Sequence, residues 1–142
     1  MSNLYSKLFQ DFSLETTAKE AARFRLAGDL LPPATAVNIA FIGSETFADR
    51  LHAIQTLHEC GAHPRPIISA RRIETAESLN IFLAQATERS VNGIFLVGGD
   101  PSEPKGPFID SVALMNSGIL DTNNIKTVGV ARYLEGHPRI AN

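Results

Sequence analysis

One cysteine, no tryptophan, two tyrosines and two methionines occur in 142 residues, and each shortage removes a class of protein. The single Cys60 cannot close an internal disulfide and has no companions at metal-ligand spacing, so neither a disulfide scaffold nor a cysteine zinc site is expected. A reducing, cytoplasmic setting fits that usage. No apolar run approaches the ~20 residues of a membrane span, and Met1 to Gln10 lack the apolar core of a signal peptide. Neither membrane insertion nor export is expected. An excess of one charge is missing too: 13 Lys and Arg against 15 Asp and Glu leave a net charge of -2. Nothing there resembles a basic footprint for nucleic acid or an anionic membrane. The patterns Gly-x-x-x-x-Gly-Lys, Gly-x-Gly-x-x-Gly and Gly-x-Ser-x-Gly are absent, which leaves no phosphate loop, dinucleotide fingerprint or nucleophile elbow.

What remains is an ordinary globular composition, 44% hydrophobic and 20% charged, with length for one domain over residues 1–142. Its most informative stretch runs from Val91 to Pro101, an apolar run that stops at Gly98, Gly99 and Asp100. Such a run suits a strand buried on both faces in a parallel sheet, and α/β folds place ligands at the carboxyl ends of such strands. The glycines let backbone or ligand approach closely, and Asp100 supplies a charge there. The same residues also suit a plain strand-to-loop turn.

Short apolar runs alternate with amphipathic stretches along the chain, the pattern of βα units. Five strands are expected, at Phe12–Thr16, Val37–Ile42, Pro66–Ala70, Gly93–Val97 and Thr127–Ala131. Helices are expected over Thr17–Ala27, ending at Gly28, and between strands two and three, where Phe47, Leu51, Ile54 and Leu57 share one face. Thr46 with Asp49 reads as a capping box for the latter and Gly61 as its left-handed stop. A third helix has Thr75 as N-cap and Leu79, Phe82, Leu83 and Ala86 as its stripe; a fourth spans Phe108–Leu120, with Asn116, Ser117 and Gly118 weakening its end. A further amphipathic turn is expected near Leu4–Phe9. This pattern leaves the fifth strand without its covering helix, so a fragment or an oligomer is expected. A (β/α)8 barrel typically needs ~250 residues, of which this is about half. An open five-stranded flavodoxin-like sheet suits the length but also expects a final helix.

Parallel strands would gather one rim of polar groups: Glu15, Thr16 and Thr17; Gly43, Ser44 and Glu45; Ser69, Arg71 and Arg72; Asp100; and Tyr133, Glu135 and His137. His52, His58 and His63 have no second ligand pair and read as surface residues.

Two ordered motifs within this rim carry a resemblance. Val-Gly-Gly-Asp-Pro at 97–101, with Gly-Pro-Phe-x-Asp-Ser at 106–111, is followed by Val-Gly-Val-Ala-x-Tyr-x-Glu-Gly-His-Pro at 128–138. Together they resemble methylenetetrahydrofolate reductase, from about Ser13 onward, over the first half of a typical family member. The resemblance implies the first five strands of a (β/α)8 barrel carrying FAD. It also implies an oxidoreductase of one-carbon metabolism that reduces 5,10-methylenetetrahydrofolate to 5-methyltetrahydrofolate with NADH or NADPH, with little or no turnover expected of this half alone; a homo-oligomer is the expected assembly.

Carried over by residue, Ser13-Leu14-Glu15 matches the family's first strand, which makes Glu15 the general acid that protonates the folate nitrogen as its ring opens. Such acids contribute ~10²- to 10⁴-fold and work best where burial raises their pKa. Asp100 matches the aspartate between flavin and folate, where its charge tunes the flavin and favours a cationic folate. Gly98 and Gly99 flank it as cofactor-binding positions, and Ala131, Tyr133 and His137 match the fifth-strand segment that holds FAD. On other grounds Glu15 would be an acid at a helix start, and Tyr133 an aromatic cap. The chain departs from the family at Thr16-Thr17-Ala18, Ala40, Ile67-Ile68-Ser69 and Gly98, where a proline-rich run, a threonine, a His-Leu-Thr core and an arginine are usual. Arg71, Arg72 or Arg132 could replace the lost arginine. The alternative reading is a half-barrel module that binds flavin or folate without catalysis.

Overall fold

The computed structural model describes residues 12–27 and 30–131. Strand β1 (Ser13–Thr16) leads through a 3-10 turn into α1 (Phe24–Ala27), and β2 (Ala36–Ile39) is followed by α2 (Phe47–Glu59). Then come β3 (His63–Ser69), α3 (Ala76–Thr87), β4 (Gly93–Val97), α4 (Ser111–Met115), α5 (Ile119–Thr122) and β5 (Thr127–Val130). The strands form one parallel sheet in the order β1-β2-β3-β4-β5. A doubly wound flavodoxin-like sheet has the order 2-1-3-4-5, so that alternative is excluded. Because each connection steps to the next strand in the same direction, right-handed crossovers place all helices on one face. The arrangement is compatible with part of a barrel, with β1 and β5 as the sheet's edges among the described residues.

Side chains alternate across the sheet, and the alternation separates a core from a site. On the covered face Val37, Ile39, Ile68, Ile94 and Leu96 are fully buried against Ile54 and Leu57 of α2 and Leu79, Phe82 and Leu83 of α3. Ser13, Glu15, Asn38, Arg65 and Phe95 alternate with them and belong to the open face. Among the described residues no helix lies over that face.

The two long helices start and stop as their sequences require. Thr46 Oγ1 accepts from the Asp49 N–H at 3.1 Å while the Asp49 carboxylate accepts from the Thr46 N–H at 2.8 Å, which closes the capping box. At the other end Gly61 has φ 76°, and the Gly61 and Ala62 N–H groups donate back to His58 O and Leu57 O, a Schellman stop. Thr75 caps α3 by accepting from the Ser78 N–H at 3.0 Å.

Strand β3 starts three positions before the expected Pro66 and runs through Pro64 and Pro66, which sit where they do no harm. The His63 N–H donates to Thr35 O, so odd-numbered N–H groups of β3 face β2 and even-numbered ones face β4. The prolines occupy even positions. Their missing donors explain why the β2–β3 ladder begins at His63 but the β3–β4 ladder only at Ile67.

Other boundaries also move. β2 ends at Ile39 rather than Ile42, and β1 and β5 are each one residue shorter than expected. The first helix is only the 3-10 turn Ala21–Arg23 and α1, since the turn at residues 18–20 uses up its first residues. The single helix expected over Phe108–Leu120 is two, α4 and α5, split where Gly118 takes φ 77°. Asp110 caps α4 by accepting from the Ala113 N–H at 2.7 Å. The turn expected near Leu4–Phe9 lies outside the described residues.

Candidate functional site

The open face and the carboxyl rim together hold the candidate residues. Glu15 is exposed near the end of β1 and pairs in register with Asn38, which pairs in turn with Arg65. One row across three strands therefore carries a carboxylate, an amide and a guanidinium. Asn38 Oδ1 is buried without a hydrogen-bond partner, so the row contains an acceptor that the fold itself does not use. Toward β5 the face turns apolar: Ile67, Phe95 and Gly129 are in register. A Cβ on Gly129 would lie 2.6 Å from Phe95 Cδ2, so glycine there gives the Phe95 ring its place on the face.

The rim around Asp100 is built by Arg71. Its backbone N–H donates to Gly98 O at 2.9 Å, its Nε to Ile109 O at 2.9 Å and its Nη1 to Pro101 O at 2.9 Å, while its carbonyl accepts from the Lys105 N–H. One arginine thus staples the β4–α4 loop to the end of β3. Gly106 fits beneath this loop because a Cβ would collide with the Ile73 and Glu74 carbonyls. Gly99 has φ 104°, and a Cβ on it would collide with Ser69 Oγ. Both facts require glycine for packing, whatever else binds there.

Arg72 is the cation that reaches Asp100, with Nη2 3.7 Å from Asp100 Oδ2. It passes under Gly43, where a Cβ would lie 2.5 Å from its Nη1. Of the two arginines here that could stand in for the one replaced by Gly98, Arg71 is spent on carbonyls and Arg72 faces the acid. Asp100 itself is exposed, its side chain at 75%.

The sheet brings Asp100, Gly98, Gly99, Ser69 and Arg72 together at one corner of the rim. Glu15 belongs to the same sheet and the same face but stands three strands away, about 14 Å across a flat sheet at ~4.8 Å per strand. A ligand touching both must be long, or the sheet must curl. Ala131, exposed, follows β5 on the same side, its N–H donating to Leu96 O at 3.4 Å. Tyr133, Glu135 and His137 lie outside the described residues, as does Arg132.

Arg50 is the residue that sequence reasoning passed over. It is fully buried, with its guanidinium 4.5 Å from the Phe41 ring centre and 5.3 Å from that of Phe82. Its Nη2 donates to Ile39 O at 3.3 Å and to Ile67 O at 2.5 Å, closing the seam where β2 ends and β3 continues. Burial lowers its pKa to about 10, and the Glu45 carboxylate opposes that shift. Glu45, also buried, accepts the Ala18 N–H at 3.1 Å and so ties the segment after β1 to the loop after β2. Position was the available signal: Arg50 lies three after Phe47 and four before Ile54, on the apolar stripe.

His52, His58 and His63 are exposed and Cys60 is half-buried. Among the described residues no group of three or more His, Cys, Asp or Glu side chains could hold a metal ion, and no helix is long and apolar enough to cross a membrane. No protein-family model matches the chain.

Proposed function

We propose that this chain forms the first five strands of a (β/α)8 barrel of the methylenetetrahydrofolate reductase type, an FAD-dependent oxidoreductase that reduces 5,10-methylenetetrahydrofolate with NADH or NADPH. One observation carries the reading: Glu15, the acid of the Ser-Leu-Glu motif, stands near the carboxyl end of β1 on the open face of a sequentially ordered parallel sheet. The Gly-Gly-Asp motif ends on the rim of that same sheet.

The open face suits a flat heteroaromatic cofactor. Ile67, Phe95 and Gly129 offer an apolar surface to a ring system, and the unpartnered Asn38 Oδ1 is an acceptor for a ring N–H. Those four residues would hold the flavin, which when bound supplies hydride to the folate. Glu15 is the group that would give a proton to the folate nitrogen that departs as the ring opens. Because Glu15 is exposed on the sheet, the folate must itself cover the acid and keep water from it. Asp100, anchored by Arg72, places a negative charge at the rim and stabilises the cation that forms on the folate. The chain sits in the cytoplasm.

A second reading, a module that holds flavin or folate without turnover, is favoured by Ser69. Its Oγ, the hydroxyl nearest the end of β3, is buried beneath Gly99 instead of facing the site. Anaerobic NADH or NADPH added to the flavin-loaded chain separates the two. The reductase bleaches the flavin absorption band, and the module leaves it unchanged. Glu15→Gln should then retain bleaching by the nicotinamide and lose folate reduction, and equal folate reduction in both proteins would remove the acid role.

A further inference from the structure

A cavity of 340 Å³ opens at the carboxyl rim on the helix side of the sheet, outside the face assigned to flavin and folate. Phe41, Phe47, Glu45, Glu74 and Arg72 line it. Phe41 and Phe47 stack with ring centres 6.3 Å apart and give it an apolar wall. Glu45 is only 8% exposed; one of its carboxylate oxygens accepts from Ala18, and the other is buried with no partner. A buried carboxylate oxygen without a donor is costly unless a donor arrives from elsewhere.

The opposite charge is also incompletely used. Arg72 has as its nearest anion Asp100 at 3.7 Å, well beyond the ~2.8 Å of a charge-assisted hydrogen bond. Its guanidinium makes no hydrogen bond among the described residues and keeps its fork of donors. The N-termini of α2 and α3 also border the cavity, at Thr46 and Ser78, and both favour negative charge. An apolar wall between a carboxylate pair and an arginine matches a molecule with an ammonium at one point, a carboxylate at another and an apolar body.

We propose that this cavity binds a free α-amino acid with an apolar or aromatic side chain. Glu45 and Glu74 receive its ammonium group, Arg72 receives its carboxylate, and the two phenylalanine rings receive its side chain. A simple organic cation fits less well, since Arg50 already occupies a face of Phe41. A simple anion fits less well because two carboxylates line the space. The site shares Arg72 with the Asp100 corner, and its test by direct binding needs no flavin.

Calorimetric titration of the purified full chain tests this with three probes of one shape: L-phenylalanine, phenethylamine, which lacks the carboxylate, and 3-phenylpropanoate, which lacks the ammonium. Saturable one-to-one binding of L-phenylalanine is expected, with both analogues weaker by about tenfold or more, the loss of one charge-assisted contact. Glu45→Gln and Arg72→Gln should each weaken L-phenylalanine binding by about the same factor. Glu74 is exposed, so Glu74→Gln keeps the test readable where Glu45→Gln lowers stability. No saturable binding of L-phenylalanine, equal binding of either analogue, or wild-type affinity in both Glu74→Gln and Arg72→Gln overturns the proposal.

Discussion

The hydroxyl of Ser69 fills the space that a side chain on Gly99 would need, and Gly99 adds to this a φ of 104°. Strand β3 and the loop after β4 are thereby interlocked at the corner of the rim that carries Asp100. Gly99→Ala should lower stability by about 1–3 kcal/mol through backbone strain, with the collision added. Combining it with Ser69→Gly should recover the collision but not the strain. Urea denaturation of the two variants measures both, and a Gly99→Ala protein as stable as the parent would show that the interlock is absent.

Arg50 and Glu45 are opposite charges buried near one another, each with polar atoms that find no partner. Arg50→Met keeps much of the volume but leaves Glu45 uncompensated and two strand carbonyls without their donor, so about 3 kcal/mol should be lost. Glu45→Gln with Arg50→Met should cost less than the sum of the single changes, because the double variant buries no lone charge. Strictly additive losses in a double-mutant cycle would mean that the two side chains do not interact.

The Thr46–Asp49 box gives a pH dependence whose sign is fixed. Its hydrogen bonds from Thr46 hold the Asp49 carboxyl below its ordinary 3.8, so it contributes stability that is present above that value and lost as pH falls through the lower folded one. Acid denaturation should therefore be shallower for Asp49→Asn over that window. Thr46→Ala should cost about 1 kcal/mol at neutral pH, read from the shift in urea midpoint. Superimposable acid profiles for Asp49→Asn and the parent would contradict the linkage.

Much of this fold was legible because hydrophobic period and turn chemistry agreed. Gly93–Val97 stood out as a strand because an apolar run ended at glycines, and α2 and α3 because a cap preceded each stripe. Where the two signals conflicted, tertiary structure decided. The expected strand began only at Pro66, but the strand runs back to His63, since Pro64 and Pro66 are tolerated where the N–H groups they lack point toward β4 and pairing has not begun. Gly118 was visible as a weak point of one helix, but only the packing of Leu114 and Leu120 into the core shows that two helices form. Of the site, Asp100 and Glu15 were legible as acids at strand ends. The division of labour between Arg71 and Arg72 was not, since it depends on which guanidinium meets the loop carbonyls. Arg50 had a positional signal, but a charge on an apolar stripe gives no hint that the ends of two strands need its donors.

The central claim is that the open face of this sheet holds a flavin, and FAD titrated into the purified chain under anaerobic conditions, followed by NADH or NADPH, tests it most directly. Saturable quenching of flavin fluorescence, a perturbed absorption band and its bleaching by the nicotinamide are predicted. Flavin that keeps its free spectrum and fluorescence at every protein concentration would contradict the account.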